Sequence, residues 1–408
     1  MTRSGPLISA RRAILRLGSV LAAGLATAGT IMGATSTGSN VGVRIVDIQT
    51  VGWGERDYQA WPTIARLADG RLILNYTGGK VAHNCPFGRV EIMRSLDEGV
   101  TWSWPQVVYD GVLDDRGVGL VQTKRGTLLA AVYTTEPPVE LAPENADRLT
   151  KDLPDGWRSV LSPVASPWRQ ALAHLNAKQR ANESGGWILR SSDGGLTWSP
   201  RSRVFVRSWH GPLETSRGNL LYAGVDLSGA NPHRLQVCKS SDDGLSWEPI
   251  AHLPLPAGAP SAEFDGPHVV ECSDGTLLCQ MRRLQPGDGA GEVYQSKSTD
   301  DGRTWSVALK IDVKGAPTHL LRLVDGRILM SYALRTAPLG PRARVSRDHG
   351  KTWSEPIILS NDTESSDLGF TSSAELADGT ILSVWYERTL VGPYARLRQA
   401  RWRLAGDG

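Results

Sequence analysis

Phenylalanine and cysteine are scarce in this chain, with 4 of each among 408 residues. The cysteines, at positions 85, 238, 272 and 279, form no CxxC pair, so a structural zinc site is not expected. We predict neither a metal nor another cofactor. Tryptophan is by contrast frequent, with 14 residues, and the repeats described below account for part of this number.

The sequence also lacks an excess of one charge. It has 45 basic and 42 acidic residues, and four of the arginines stand in the first 34 positions without an acidic neighbour. The rest of the chain therefore carries 41 basic against 42 acidic residues. A near-neutral body has no basic field to hold a nucleic-acid backbone, which argues against DNA or RNA binding as the main function.

Long apolar runs are missing except near the N-terminus. Residues 11–16 read RRAILR and precede the apolar run LGSVLAAGLATAGTIMGA, as in a twin-arginine export signal with cleavage after Ala28 or Ala34. An ordinary Sec signal or an uncleaved anchor is the alternative. We predict a signal over residues 1–34 and a soluble mature protein, periplasmic or extracellular, that has no membrane partner.

One motif occurs five times and fits S-x-D-x-G-x-[ST]-W. Its copies occupy residues 95–102, 191–198, 240–247, 298–305 and 346–353. The pattern is typical of a hairpin turn in which the Asp accepts backbone N–H groups, Gly takes a positive φ and Trp covers the hairpin.

A second signal alternates with the first. Six apolar runs close on an Asp-Gly or Arg-Gly turn and reopen into another apolar run, at Asp69, Arg125, Arg217, Asp274, Asp325 and Asp378. Four of the five intervals between these turns are 51 to 57 residues long, and the remaining interval of 92 residues is enlarged by residues 136–186. Such a period predicts four-stranded units that bury their faces by stacking around an axis.

We therefore predict an all-β fold, a six-bladed β-propeller over residues 41–408. Residues 43–48 should form a strand that completes the last blade and joins the two ends of the chain. The enlarged unit, whose stretch WRQALAHLNAKQRA reads as helix, predicts a helical insertion at 136–186 in blade 2. Two packed β-sandwiches are the alternative, but they would not need this period.

The repeated motif resembles the Asp boxes, or BNR repeats, of the sialidase (neuraminidase) superfamily, whose fold has six blades. The likeness covers nearly all of the predicted mature chain. It implies a secreted exo-glycosidase that acts on an acidic glycan of the sialic acid or uronate type. Asp boxes also occur in propellers with unrelated activities, so function has to be argued from the residues around the central channel.

The strand that opens each blade lines this channel. Eight residues before the turn residues lie Trp61, Gly117, Trp209, Gly266, Pro317 and Phe370. His210, His268 and His319 stand one or two positions further along three of these strands, and His83 follows the first hairpin. We interpret these histidines as candidate acids, bases or sugar-binding groups.

The sialidase resemblance implies three arginines that clamp the substrate carboxylate, a Tyr nucleophile assisted by Glu, and an Asp acid. Arg282 resembles one of the arginines, and Arg335, Arg342 and Arg344 are candidates for another. Where the family has the first arginine, this chain has Ala60-Trp61-Pro62, and where it has the nucleophile, this chain has Phe370. The acid-bearing loop of blade 1 offers His83 instead of an Asp.

Two sets of site residues follow from these arguments. The candidate catalytic residues are His83, Asp115, His210, Glu263, His268 and His319. The candidate substrate-binding residues are Trp61, Arg116, Arg282, Arg335, Arg342 and Phe370. Tyr386-Glu387 resembles a sialidase strand ending, but the count along the strand places it outside the channel, with a structural role.

The predicted partner is a glycan or oligosaccharide, and the oligomeric state is open. The first hypothesis is an exo-acting glycoside hydrolase in which His83 or Asp115 replaces the missing acid. A uronate-cleaving lyase, with a His base and an Arg that neutralises the carboxylate, is a second. The non-enzymatic alternative is a glycan-binding propeller, which Phe370 favours.

Overall fold

The computed structural model describes residues 42–52, 57–83, 85–136, 167–168, 170–227, 233–285, 291–315, 317–390 and 392–404. The predicted export signal lies outside these residues, and so does much of the predicted insertion at 136–186. Within that insertion, residues 167–168 and 170–173 are helical, and the helix α1 spans Ala177–Glu183. No helix in the described part of the chain is long and apolar enough to cross a membrane.

The rest of the described chain is dominated by strands. In order they are β1 (Val43–Val51), β2 (Tyr58–Arg66), β3 (Leu72–Lys80), β4 (Arg89–Ser95), β5 (Gln106–Tyr109), β6 (Asp114–Gln122), β7 (Leu128–Thr135), β8 (Gly185–Ser191), β9 (Ser202–Val204), β10 (Val206–Arg207), β11 (Leu213–Glu214), β12 (Leu220–Asp226), β13 (Leu235–Ser240), β14 (Glu248–His252), β15 (Phe264–Glu271), β16 (Leu277–Arg283), β17 (Glu292–Ser298), β18 (Leu309–Lys314), β19 (His319–Arg322), β20 (Ile328–Leu334), β21 (Gly340–Ser346), β22 (Ile357–Ile358), β23 (Leu368–Glu375), β24 (Ile381–Arg388) and β25 (Ala395–Leu404).

These strands form antiparallel meanders. Three sheets have four strands in chain order, β6 to β9, β15 to β18 and β19 to β22, and a fourth combines β10 and β11 with β12 to β14. The largest sheet has the order β23-β24-β25-β2-β3-β4-β5, with β1 paired to β25. The opening strands pack against one another, since β2 contacts β6 and β23, and β19 contacts β15 and β23. The prediction of an all-β chain with a propeller arrangement is confirmed.

Both kinds of predicted turn form. The glycines that follow the six hairpin turn residues have φ between 77° and 89°, the left-handed region that glycine adopts without strain. In the repeated motif, taking Asp300 as the example, one carboxylate oxygen accepts the Thr304 N–H at 2.9 Å and the Ser298 hydroxyl at 2.8 Å. The other oxygen accepts the Thr304 hydroxyl at 2.6 Å. A few polar residues thus fix each turn locally.

Neighbouring meanders are joined by side chains at the end of the opening strands. Gln122 accepts the Ala68 N–H at 2.7 Å, and Glu271 accepts the Ser216 N–H at 2.6 Å. Glu214 and Glu375 make the same kind of bond to the N–H of residues 124 and 324. Each of these four acceptors stands three residues before its hairpin turn residue, and each bonds the turn of the preceding meander.

The two ends of the described chain meet in one sheet. Residues 43–51 of β1 pair antiparallel with residues 397–404 of β25, as the sequence predicted for residues 43–48. Trp402 of β25 is fully buried and donates its indole N–H to Ser383 at 2.9 Å. Trp102, in the first repeated turn, donates to Gln399 at 2.8 Å and so links the N-terminal meander to the C-terminal one.

The carboxylates of the repeated turns should make the stability of the protein fall at low pH. Hydrogen bonds from Thr304 and Ser298 lower the pKa of Asp300 from 3.8 to about 2. Because the folded pKa is lowered, the stabilisation is complete above 3.8 and is lost as the pH falls toward 2. We expect Asp300→Asn to lower the melting temperature at neutral pH, and the difference from wild type to close near pH 2, as measured by calorimetry. An equal difference at both pH values would contradict this account.

Candidate active site

The strands that open the meanders are interrupted by bulges at one level. The pairing register shifts after Ala60 in β2, after Asp265 in β15 and after Gly369 in β23. Trp61 and Phe370, which follow two of these shifts, have φ of 57° and 52°. Large side chains rarely adopt this left-handed backbone, and such strain concentrates at functional sites.

The two strained residues belong to a cluster of aromatic rings that we call the aromatic floor: Trp61, Trp209 and Phe370. Trp61 and Trp209 stack with ring centroids 6.2 Å apart, and Phe370 meets Trp209 edge-on at 5.0 Å. We predicted that Trp61 and Phe370 bind substrate, but they are only 1% and 3% exposed. Both pack against the ring of Tyr386, which is equally buried, and their contact with substrate stays a prediction.

Asp367 is the centre of a polar cluster beside the aromatic floor. It accepts the phenol of Tyr58 at 2.7 Å and the phenol of Tyr386 at 2.9 Å, and the His83 Nδ1 lies 3.2 Å from it. The Tyr58 hydroxyl is also 2.7 Å from the His83 Nδ1. Burial by itself raises the pKa of Asp367, but the hydrogen bonds from these three side chains lower it to about 2. Asp367 is thus an ionised carboxylate held between two phenols and an imidazole.

The prediction that Tyr386 lies outside the channel is wrong. Its ring is 6.0 Å from that of Phe370 and 6.2 Å from that of Trp61. An Arg335 Nη2 lies 3.5 Å from the Tyr386 hydroxyl, while the Arg335 Nε donates to the Leu368 carbonyl at 2.8 Å. Burial raises the pKa of Tyr386 and Asp367 raises it further, whereas Arg335 lowers it. Tyr386 therefore stands between a carboxylate and a cation.

A second polar group lies over Trp61. Lys80 and Arg116 both pair with the buried Asp114, at 2.5 and 2.7 Å. The Arg116 guanidinium is 4.5 Å from the Trp61 ring centroid. Burial raises the pKa of Asp114, but Arg116 and Lys80 outweigh it and hold the pKa below its usual value. Two cations on one carboxylate leave this group with a net positive charge.

We call the layer of polar groups around Asp114 and Asp367 the mouth. Arg282 is close enough to Tyr386 in this layer for the two to interact electrostatically, but it already has a partner. Its Nε and Nη2 donate to the two oxygens of Asp265 at 2.6 and 2.8 Å, a bidentate pair. Burial raises the pKa of Asp265, but Arg282 and, more weakly, Arg207 outweigh it and hold the pKa below its usual value. The proposed contact of Arg282 with a substrate carboxylate stays a prediction.

Three predicted residues are placed away from the cluster around Asp367. Asp115 is buried and accepts the Thr134 hydroxyl at 2.5 Å, and burial raises its pKa to about 7. Glu263 pairs with Arg283 at 2.8 Å. The guanidinium of Arg342 is bound by four backbone carbonyls, those of residues 338, 339, 341 and 360. Its hydrogen-bonding capacity is therefore spent on loop structure.

His210, His268 and His319 come together, but beneath the aromatic floor. Their ring centroids are 4.8 to 5.4 Å apart, and the His210 ring lies 6.5 Å from that of Phe370. Only His268 has a described hydrogen bond to its ring, from the Leu320 N–H at 2.9 Å. Burial lowers the pKa of all three, that of His319 to about 3. They are neutral groups that fill the channel.

The remaining channel opens beyond these histidines. His268 and His319 line a cavity of about 460 Å³ that extends to Arg66, Glu271 and Glu375. In the described chain, no group of three or more His, Cys, Asp or Glu residues is arranged to hold a metal ion. The three histidines thus separate the mouth from the cavity without forming a metal centre.

Acid should destabilise the protein through this histidine cluster. The unfolded chain takes up a proton near 6.5, whereas the folded imidazole of His210 resists protonation because burial lowers its pKa. Stability should therefore fall as the pH drops below 6.5. We expect His210→Leu to weaken this dependence and to cost less than about 1 kcal/mol at neutral pH, because neither ring nitrogen has a partner.

Thermal unfolding of wild type and His210→Leu over a pH series measures this difference. His252→Leu, on the exposed face of β14, is the control and should behave as wild type. A pH profile of His210→Leu identical to that of wild type would refute the assignment.

Solved structures with similar folds include several sialidases. A protein of unknown function from Dyadobacter fermentans has a TM-score of 0.69 and 22% identity, over 89% of this chain and 100% of that one. The NanB sialidase of Streptococcus pneumoniae has a TM-score of 0.58 and 13% identity, over 88% and 70%. The intramolecular trans-sialidase of Ruminococcus gnavus has a TM-score of 0.56 and 16% identity, over 86% and 96%. These likenesses show a shared fold.

The sequence itself carries a family signature. The BNR repeat-like domain matches residues 43–254 and again 175–382, which together span most of the chain. No curated protein matches at a significant level. The matched residues contain all five repeated turns, and the fold is that of the sialidases named above. This chain therefore belongs to the BNR repeat-like family.

Proposed function

We propose that this protein is an exported, six-bladed, sialidase-like exo-glycosidase that acts on an acidic glycan. The observation that carries the proposal is the position of Tyr386, whose phenol lies 2.9 Å from an Asp367 oxygen and 3.5 Å from an Arg335 nitrogen. A carboxylate can take the phenol proton, and a guanidinium can stabilise the phenolate. Tyr386 thus stands beside a base, as a tyrosine nucleophile requires, although burial and the carboxylate raise the pKa of its phenol.

Six blades follow if the largest sheet is counted as two. Strands β23, β24, β25 and β1 form one antiparallel set, and β2 to β5 form another. A single parallel pair, Tyr58 with Ala395, connects the two sets. With the other four sheets, each set supplies one blade of a six-bladed ring, in agreement with six hairpin turns.

The proposed reaction uses two steps. The Tyr386 oxygen attacks the anomeric carbon as the bond to the leaving oxygen breaks, and the phenol proton passes to Asp367. His83, whose side chain is 41% exposed, gives a proton to the leaving oxygen. Water then attacks the glycosyl-tyrosine at the same carbon and gives its proton to His83, while the bond to the Tyr386 oxygen breaks and this oxygen takes back its proton from Asp367. Phe370, which cannot attack a sugar, is thus no obstacle to chemistry.

The charge of the mouth favours an acidic substrate. Lys80, Arg116, Arg282 and Arg335 face three carboxylates, Asp114, Asp265 and Asp367, which leaves one positive charge in excess. Among described residues, Arg335 has no carboxylate within ion-pair distance. A substrate carboxylate placed there would gain a charge-assisted hydrogen bond. We propose Arg335 as its main contact and Arg282 as the second.

One observation favours a uronate lyase as the second candidate. The Tyr58 hydroxyl lies 2.7 Å from the His83 Nδ1, so this pair could remove the proton next to a uronate carboxylate that Arg335 neutralises. The bond to the leaving oxygen would then break with formation of a C=C bond in the product.

The proposal that the protein is exported rests on the basic and apolar N-terminal run of residues 11–34.

The reaction should depend on the phenol of Tyr386. We expect Tyr386→Phe to lower kcat about a thousandfold or more on sialylated or uronate-containing glycans, because the nucleophilic oxygen is lost. Mass spectrometry of released sugars measures the activity, and an unsaturated product identifies a lyase. Tyr294→Phe, which removes a hydroxyl bonded to Arg283 outside the mouth, is the matched control and should retain full activity.

Two results would decide against the hydrolase. Full activity of Tyr386→Phe together with an unsaturated product and loss of activity in Tyr58→Phe would establish the lyase. Binding of the glycans by the wild type without any product would establish a glycan-binding propeller.

Arg335 should make the protein prefer an acidic glycoside to its uncharged ester. We expect Arg335→Gln to lower kcat/KM for an acidic glycoside by about tenfold to a hundredfold, since a hydrogen bond to a charged group contributes about 1.5–3 kcal/mol. The loss for the methyl ester of the same glycoside should be clearly smaller. Arg344→Gln is the control, because that side chain bonds Tyr332 and the Ser354 carbonyl. Equal losses for acid and ester would exclude a carboxylate contact.

A further inference from the structure

A groove of about 520 Å³ runs along the first meander, on β2, β3, β4 and β5, and reaches Tyr394 before β25. Its polar lining includes Asp57, Gln59, Arg89 and Glu91, and Trp104 and Val107 form its apolar wall. Neither Asp367 nor Tyr386 lines it. The groove is therefore a feature separate from the mouth, to which the proposed reaction assigns no role.

Gln59 provides an unused hydrogen-bond acceptor in this groove. The pairing of β2 with β3 slips between Tyr58 and Ala60, which leaves Gln59 at a bulge. Such irregularities re-aim a side chain. Gln59 is only 8% exposed, and its Oε1 has no hydrogen-bond partner. A buried amide oxygen without a donor costs free energy, so it fits a ligand that supplies an N–H or O–H.

The carboxylates of the groove are held in place by close packing. Asp57 accepts the Gly79 N–H at 2.8 Å and a hydrogen bond from the Gln59 side chain. Glu91 accepts the Arg89 Nε at 2.6 Å and the Tyr76 phenol at 2.7 Å. A Cβ on Gly78 would lie 2.4 Å from a Glu91 oxygen, so only glycine allows this approach. Several acceptors are thus fixed before a ligand arrives.

Trp104 supplies a flat apolar face at the edge of the groove. It is 64% exposed, the most exposed tryptophan in the described chain. An indole with an apolar body next to several hydrogen-bond acceptors suits the face of a pyranose ring, which has C–H groups on one side and hydroxyl donors around its edge.

The charges of the lining select against an acidic sugar. Asp57 and Glu91 carry the carboxylates, and the nearest cation, Arg89, already donates to Glu91. Lys80 also lines the groove, but its ammonium pairs with Asp114 at the mouth. An anionic ligand would meet two carboxylates beside one cation that is already paired with Glu91, whereas a neutral sugar would meet acceptors for its hydroxyls.

We infer that this groove is a second carbohydrate site, which binds a neutral pyranose through Trp104, Gln59 and Asp57. The pyranose stacks on the indole of Trp104, and its hydroxyls donate to the Gln59 Oε1 and to the Asp57 carboxylate. The site differs in ligand charge from the positive mouth, and its occupancy does not depend on the reaction proposed there.

The test is saturation-transfer NMR of lactose, a neutral disaccharide, with the full chain. We expect transfer to the pyranose protons in wild type, and weakening of binding by about tenfold or more in Trp104→Ala and in Gln59→Leu. Trp104→Tyr, which keeps an aromatic face, should retain most of the binding. Leu196→Ala, at another exposed apolar position, should leave it unchanged. Thermal unfolding verifies that each variant is folded.

The outcomes separate this site from the mouth. Tyr386→Phe and Arg335→Gln should bind lactose as wild type does, whatever their activity. Absence of transfer in wild type, or transfer that survives in both Trp104→Ala and Gln59→Leu, would overturn the inference. Loss of binding in Arg335→Gln with retention in Trp104→Ala would assign the lactose to the mouth instead.

Discussion

The pairing of β1 with β25 ties the first described strand to the last, and the geometry of the mouth depends on this tie. The mouth is built from residues far apart in sequence. Asp367 stands in front of β23, while Tyr58 and His83 come from the first meander. Without a fixed relation between the ends of the chain, these hydrogen bonds could not form together. Side chains such as Glu271, which bond the turn of the preceding meander, hold the opposite end of the channel in the same way.

Within this frame, the bulges decide which side chains reach the mouth. Each bulge adds a residue to an opening strand and changes the face on which the preceding side chains lie. Trp61 and Phe370 absorb the change in a left-handed backbone and pack into the aromatic floor. Above the floor, Asp114 and Asp367 stay ionised although they are buried, because cations or phenols donate to them. The strained residues of the aromatic floor thus support the ionised carboxylates of the mouth.

The sequence predicted what local chemistry dictates and missed what the bulges alter. Hairpins and repeated turns were predicted well, since a few adjacent residues determine each of them. Counting eight residues back from the turns assumes regular alternation, and it led to His268 and His319, which the structure places beneath the aromatic floor. Counting eleven back would have reached Tyr58, Asp114 and Asp367. Arg342 was assigned to substrate binding for another reason, because no sequence pattern shows that backbone carbonyls surround a guanidinium.

The bulge near the start of β2 also explains how one strand can contribute to two proposed sites, one for an acidic sugar and one for a neutral sugar. Tyr58 bonds the Asp367 carboxylate at the mouth, and its neighbour Gln59 faces the groove that Trp104 borders. Lys80 reinforces the division, because it borders the groove while its ammonium pairs with Asp114 at the mouth. The positive charge is thereby concentrated on one side of the strand and the unpaired acceptors on the other. A glycan with an acidic end and neutral inner sugars matches this distribution of charge.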